Sequence, residues 1–391
     1  MATENARIAL QELKELAGFW ANAGDALSVF LQVRTPSEIS HREEVIVIKD
    51  KIQQALGSLK GRSPADRSDV QRVLETVGAM KGNGGRAKII FACNRKKLWR
   101  EYNLAGEFPT RAEAGPAFVL APLLAQGQTQ KRYCIALADR NRARLLLLEA
   151  GNITEHSQVL DEEKQKIRTT GTNKAQLYER RKEEQVRKHF QFLAEHLLHF
   201  HEHKDYDCLL VGCRDEMWPE IEAELHPGLK RILVGRFTLD PGLAPAEEIR
   251  ERAQSIVNRR DREEEERLVE SAVGGAASHT LGAVGLHNVI DSLEKGEVRT
   301  LLWSAGELWS KHSASLCEDC GHLEVADPMK CALCRGGMRR FAHAGEAVLR
   351  HALGRSIEVR RMRWAKLPPP DEIAARLRYR VEVNTPQTLA S

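Results

Sequence analysis

The sequence contains no run of about 18 uninterrupted apolar residues, so no membrane-spanning helix is expected. Its opening stretch, MATENARIALQELKELAGFW, lacks the basic, then apolar, then small-residue order of a secretory signal, and a cytoplasmic location is expected. Net charge is scarce too. The 59 Lys and Arg nearly balance 55 Asp and Glu, for a formal +4, so bulk composition does not demand a polyanionic partner. Any case for one must come from local clustering. A complete phosphate-binding fingerprint is also missing: Gly274-Gly275 and Gly282–Gly285 read more simply as turns.

What is present describes a folded, water-soluble chain. A length of 391 residues leaves room for two or three domains, with 42% hydrophobic and 29% charged residues. Residues 1–128 read as an N-terminal α/β domain. ALSVFLQVR is a strand, the stretch Ser37–Leu59 an amphipathic helix, a second helix follows Ser63-Pro64, and AKIIFAC is a strand. Pro and Gly around 108–127 suggest a linker.

Residues 129–243 read as a central domain. YCIALADRNRARLLLLEAGNITEHSQVL gives three strands and two turns, and DCLLVGC and RILVGRF are short buried-type strands separated by a helix. Residues 244–391 open with a long mixed-charge helix, then repeat helix-then-strand twice around a cysteine cluster. The expected fold class is therefore α/β in three domains, the middle one a mixed sheet.

Between the central strands lies GTNKAQLYERRKEEQVRKHF. Val186, Phe190, Leu193, Leu197 and Phe200 follow spacings of four, three, four and three, one helical stripe that docks on a sheet. Before Val186 the helix has little to bury and is expected to project. From Lys164 to Lys188 there are nine Lys or Arg against three Glu. Two readings stay open: a solvated surface helix laced with charge pairs, or a basic arm for a polyanion with salt-sensitive affinity.

Cys317, Cys320, Cys331 and Cys334 form two Cys-x-x-Cys knuckles ten residues apart. That spacing suits four thiolates around one structural Zn²⁺ in a ribbon over 315–336, with redox dithiols as the alternative. Four thiolates leave no open position for water. The other cysteines, Cys93, Cys134, Cys208 and Cys213, read as small buried residues of a reducing compartment. His196, His199, His201 and His203 cluster near a helix end, where a metal site and a solvent-facing terminus are both open readings.

The layout resembles the archaeo-eukaryotic class I peptide release factors, with Pelota and stalled-ribosome peptidyl-tRNA hydrolase as cousins, and most of all their bacterial relatives. GTNKAQLYERRKEEQVRKHF sits where that family has Gly-Gly-Gln and a basic helix. GAVGLHNVIDSLEKGEVRTLLW and EAVLRHALGRSIEVRRM resemble its third, kink-turn-binding-protein-like domain, here with the zinc ribbon inserted. The resemblance implies a ribosome partner in translation termination or the rescue of stalled ribosomes. It implies tRNA and rRNA contact through Arg168, Lys174, Arg180, Arg181, Lys182, Arg187 and Lys188.

It further implies ester hydrolysis of peptidyl-tRNA at Gly171, Thr172 and Asn173, with Gln176 nearby. Here the chain departs from the family: Gly171-Thr172-Asn173 replaces Gly-Gly-Gln, and the Asn-Ile-Lys-Ser stretch that reads stop codons has no counterpart. Stop-codon decoding is not expected. The alternative function is a non-catalytic ribosome- or RNA-binding factor that occupies the A site. Whether a GTPase partner escorts it, and in what oligomeric state it works, the sequence leaves open.

Overall fold

The computed structural model describes residues 10–21, 25–32, 41–57, 67–79, 86–105, 108–127, 131–149, 151–159, 174–203, 205–242, 244–304, 312–325 and 327–381. By contact the chain divides into two compact units. One comprises residues 1–129 with 262–391, and the other residues 130–261. No described helix is long and apolar enough to cross a membrane.

The first unit begins with α1 (Leu10–Ala17), β1 (Ala26–Gln32), α2 (His41–Gly57), α3 (Arg67–Gly78), β2 (Arg86–Cys93), β3 (Leu98–Ala105), β4 (Arg111–Gly115) and α4 (Ala121–Gly127). Its antiparallel sheet has the order β3-β2-β1-β4. Alternation along β1 and β2 separates two cores, because successive side chains leave a strand on opposite faces. Leu27, Val29, Leu31, Ile90 and Ala92 meet Ile48 and Ile52 of α2 and Val73 and Val77 of α3. Ala26, Phe30, Ile89 and Phe91 face the other way, toward α1, α4 and the C-terminal part of the chain. Residues 108–127, expected as a linker, are instead built into this unit. β4 pairs with β1 from Phe30↔Arg111 to Ala26↔Gly115, and Phe108, Phe118 and Leu120 are buried. The Pro and Gly there mark tight joints within one sheet-and-helix layer.

The second unit comprises β5 (Tyr133–Ala138), β6 (Ala143–Glu149), β7 (Asn152–Val159), α5 (Lys174–Glu202), β8 (Cys208–Cys213), α6 (Trp218–Glu224), α7 (Pro227–Ile232) and β9 (Leu233–Thr238), and takes in the first half of α8 (Ala246–Ala277). Its mixed sheet has the order β7-β6-β5-β8-β9, with β5, β8 and β9 parallel and β6 and β7 antiparallel. The two expected turns appear. Asp139 Oδ1 accepts from the backbone N–H groups of Asn141 and Arg142 at 2.7 and 2.8 Å, and Gly151 takes φ +82° between β6 and β7. One face packs α5, α6 and α7, and the other packs Ile249, Ala253 and Val257 of α8. Cys134 and Cys213 lie fully inside, and burial pushes the Cys213 thiol up to about 11, as inert core thiols should behave.

The remainder of the first unit contains β10 (Gly282–Val284), α9 (Leu286–Glu294), β11 (Val298–Trp303), β12 (Ala314–Cys317), β13 (Leu323–Glu324), β14 (Met338–Phe341), α10 (Ala344–Gly354), β15 (Glu358–Arg361) and β16 (Ile373–Leu377). A sheet of order β10-β16-β11-β15 carries α9 and α10, and a small ribbon of order β13-β12-β14 stands between its halves. The first and last parts of the chain, read from sequence as separate domains, share one hydrophobic core. Leu16, Phe30, Phe91 and Phe118 belong to the same cluster as Val289, Leu301, Val348 and Leu353.

Gly282, read as a turn residue, serves a close approach. A Cβ there would lie 2.0 Å from the Ala272 carbonyl oxygen and 2.5 Å from the Ala276 nitrogen, backbone atoms that cannot swing aside. Gly282→Ala is expected to cost about 2–3 kcal/mol through overpacking, measured by chemical denaturation. Unchanged stability would show that the end of α8 shifts freely.

Candidate functional site

The site with the most pronounced chemistry in the second unit is built on α5. Its C-terminal half is held by Val186, Phe190, Leu193, Ala194 and Leu197, all buried against Cys134, Ala136, Leu209, Val211 and Tyr206. The Tyr206 hydroxyl donates to the Leu197 carbonyl at 2.8 Å and fixes the far end. Ahead of this stripe Arg180, Arg181, Lys182, Glu183, Glu184 and Gln185 are all exposed, as are Arg187 and Lys188.

Charge on this stretch is little neutralised. Arg187 makes a two-pronged pair with Glu184 at 3.0 and 3.3 Å, which raises the guanidinium pKa and lowers that of the carboxyl. Among the described residues, Arg180, Arg181, Lys182 and Lys188 have no carboxylate within ion-pair distance. A cleft of about 460 Å³ lies beside α5, lined by the apolar Val186 and Phe190, by Arg140, Lys182 and Arg187, and by Glu183, Glu220 and Glu224. Arg140 and Glu220 pair across it at 3.2 Å. The exposed cations Arg180, Arg181, Lys182 and Lys188 can hold phosphates by position, without reading sequence.

The loop residues Arg168, Gly171, Thr172 and Asn173 lie outside the described residues. Lys174 and Gln176 fall in the first turn of α5, and their side chains are also outside that description. Of the four histidines at the other end of α5, His199 and His203 lie with ring centroids 4.2 Å apart, but among the described residues the four do not form a metal-binding group. His203 Nδ1 lies 2.7 Å from the His199 carbonyl in the last turn of the helix, and His201 Nδ1 lies 3.2 Å from the Tyr206 carbonyl just beyond it.

In the first unit the two cysteine knuckles come together. The sulfurs of Cys317, Cys320, Cys331 and Cys334 all lie within 4.8 Å of one another, and two pairs are at 3.5 and 3.6 Å. A tetrahedron with metal–sulfur bonds of about 2.3 Å has edges of about 3.8 Å, so the set fits a single ion. Gly321 (φ +73°) closes the first knuckle in a conformation that costs glycine little. Backbone N–H groups of Cys334 and Leu333 lower the Cys331 pKa, while those of Cys320 and Cys334 are raised. The four cysteines are free of disulfides, and the arrangement can hold one metal ion.

A supporting layer behind the ribbon was not evident from sequence. Glu294, at the end of α9, accepts from the Leu323 N–H at 2.9 Å and reaches His322 Nδ1 at 2.8 Å. His351 of α10 sets Nδ1 2.8 Å from the Gly321 carbonyl, and burial lowers its pKa. The only sequence signal was that polar residues interrupt otherwise apolar helix faces.

Comparison with known proteins agrees with the layout. The family model described as bacterial archaeo-eukaryotic release factor family 10 matches residues 119–258, which span the whole β5–β9 sheet and α5. No curated protein matches the sequence. Among solved structures, the archaeal translation termination factor aRF1 is 16% identical, with 96% of this chain and 98% of that chain covered and a TM-score of 0.24. A model of ribosome-bound archaeal Pelota and ABCE1 is 12% identical over 97% and 96%, with a TM-score of 0.38. Dom34 of S. cerevisiae, described as a translation termination-like factor involved in RNA quality control and interacting with Hbs1, is 10% identical over 76% and 80%, with a TM-score of 0.37. At these TM-scores the overlays are loose. Through residues 119–258 this chain is a relative of the class I release factor superfamily.

Proposed function

We propose that the protein binds ribosomes in translation termination or the rescue of stalled ribosomes, with α5 as the arm that meets tRNA and rRNA. The observation that supports this most is the row of exposed, unpaired cations Arg180, Arg181, Lys182 and Lys188 on a helix whose other half is anchored by a buried stripe. The family match over residues 119–258 covers this same helix. The relatives described as a translation termination factor and as ribosome-bound Pelota point in the same direction. Affinity of such a surface comes largely from counterion release and falls steeply with salt.

In this reading the loop Gly171-Thr172-Asn173 reaches the ester between nascent peptide and tRNA. The work asked of it is positional and electrostatic: to orient a water and to steady the oxyanion that forms as the water attacks. Asn173 has the amide needed for this but is shorter than glutamine by one methylene, about 1.5 Å. The substitution favours a second reading, in which the loop occupies the site without cleaving the ester. In both readings the four cysteines hold a structural Zn²⁺ that shapes the ribbon and performs no chemistry.

Purified protein incubated with stalled ribosomes carrying labelled peptidyl-tRNA tests both parts. Reversing charge with Arg180→Glu and Arg181→Glu is expected to lower ribosome co-sedimentation at low salt by about tenfold or more and to flatten its salt dependence. Native co-sedimentation by that variant would overturn the arm. Peptide release that disappears in Asn173→Ala supports the hydrolase, and binding without release supports the non-catalytic factor.

A further inference from the structure

A second surface, in the first unit and well away from α5 in sequence, carries chemistry that the proposed function does not use. The last residue of β15 and the segment after it read Arg361-Met362-Arg363-Trp364-Ala365-Lys366. Met362 is buried, while Arg363, Trp364 and Lys366 are exposed. A tryptophan held 38% open to solvent in a run this basic needs an explanation.

The turn that presents it is fixed from behind. Glu265 of α8 is only 5% exposed, and one of its carboxylate oxygens accepts from the backbone N–H groups of Arg363, Trp364 and Ala365 at 2.9, 2.7 and 3.0 Å. Three consecutive N–H groups turned onto one oxygen lock the backbone, so the side chains of Arg363 and Trp364 have a defined outward course. On the solvent side, Arg262 and Arg363 lie 5.1 and 5.8 Å from the Trp364 ring centroid, within cation–π range.

Three of the acids nearby are already engaged, while Glu266, one turn along α8 from Arg262, is exposed. Glu263 pairs with Arg267, Glu264 with Arg360, and Glu265 is taken up by the turn. Among the described residues, Arg262, Arg363 and Lys366 have no carboxylate partner. Arg361 behind them is partly buried, its pKa lowered first by burial and then by Arg363, and its Nε has no hydrogen-bond partner. The surface is thus a rigidly mounted aromatic ring flanked by cations in excess of the free acids.

We infer that Trp364, with Arg262, Arg363 and Lys366, is a second RNA-contact surface that stacks an unpaired base and grips the adjoining phosphates. An aromatic face accepts any base, while guanidinium and ammonium groups track the backbone. The charge selects a polyanion. The ring, mounted on a fixed turn, favours one with planar bases over an acidic peptide. The surface belongs to the first unit and α5 to the second, so each assignment can be tested without the other.

Fluorescence anisotropy of a labelled oligouridylate with the full-length protein tests it, in the Arg180→Glu, Arg181→Glu background so that α5 contributes least. Trp364→Ala is expected to weaken binding by about tenfold with the salt slope unchanged, and Trp364→Phe to retain most of the affinity. Arg363→Glu with Lys366→Glu is expected to reduce the slope of log affinity against log salt by about 1.4. Native affinity in Trp364→Ala would overturn the inference, as would loss of all RNA binding in the α5 background alone. Poly-glutamate binding with the same dependence on Trp364 would replace RNA with an acidic protein segment and overturn it too.

Discussion

Arg350→Ala should destabilise the first unit by about 3–5 kcal/mol, the range expected when one member of a buried charge arrangement is removed. Arg350 lies in the middle of α10 and is 2% exposed. Its Nη1 donates to the backbone carbonyls of Leu16, Ala17 and Phe19, and Nη2 donates to the Phe118 carbonyl at 3.0 Å. Trp20 and Phe341 face the guanidinium at 5.4 and 5.7 Å. One turn earlier, Glu346 accepts from the N–H groups of Leu120 and Ala121 at 3.0 and 2.9 Å, where α4 begins.

Burial dominates both groups, lowering the Arg350 pKa to about 10 and raising that of Glu346. Each is tolerated only because the other's charge and the backbone partners offset desolvation. The alanine variant leaves four carbonyls and the Glu346 carboxylate without their cation. Urea denaturation followed by circular dichroism measures the loss. Arg350→Lys is expected to recover only part of it, since one ammonium cannot serve both the residue 16–19 carbonyls and Phe118 with fork geometry. A cost under about 1 kcal/mol for the alanine variant would show that the clamp is decorative.

Cys331→Ser is expected to have the other large effect. If the four sulfurs hold one Zn²⁺, elemental analysis should read one zinc per chain in the native protein and close to none in the variant. Apparent binding energies for structural zinc are about 10–16 kcal/mol near neutral pH, so the loss should unfold the ribbon rather than loosen it. The damage should spread. Ala314, Leu316 and Leu323 of the ribbon strands belong to the core that also contains Val348 and Leu353 of α10. Hydrogen exchange should show protection falling in β12 and β14 first and in α10 to a lesser degree. A chelator should mimic the variant, and acid should assist the chelator because the ligands bind as thiolates. Full metal content and native protection in Cys331→Ser would refute the assignment.

The parts of the fold that were legible in sequence are those specified by local periodicity. The 4-3-4-3 apolar spacing of α5 predicted its buried stripe residue by residue, apart from Phe200, which is only half-buried. Cysteine spacing predicted the knuckles because two tight turns bring four sulfurs together with little help from elsewhere. What could not be read depends on distant partners. β4, with the sequence RAEAG, contains no β-branched residue and becomes a strand only because β1 offers it an edge. Glu346 and Arg350 look like surface charges on an amphipathic helix, and the backbone groups that require them lie over two hundred residues earlier. Trp364 was equally silent, since its exposure follows from the hold of Glu265 on the turn, about a hundred positions upstream.

The discontinuous make-up of the first unit has a consequence for how the protein is born. Residues 130–261 form a continuous segment whose sheet is complete as soon as β9 and α8 leave the ribosome. The N-terminal sheet emerges earlier yet finishes later, because the cation that Leu16 awaits is 334 residues downstream. At roughly 5–20 residues per second this is a delay of roughly 15–70 s, during which Phe30, Phe91 and Phe118 have only α1 and α4 for cover. The nascent chain therefore matures from its middle outward, and a ribosome that halts before α10 is made leaves an exposed apolar face for chaperones to shield.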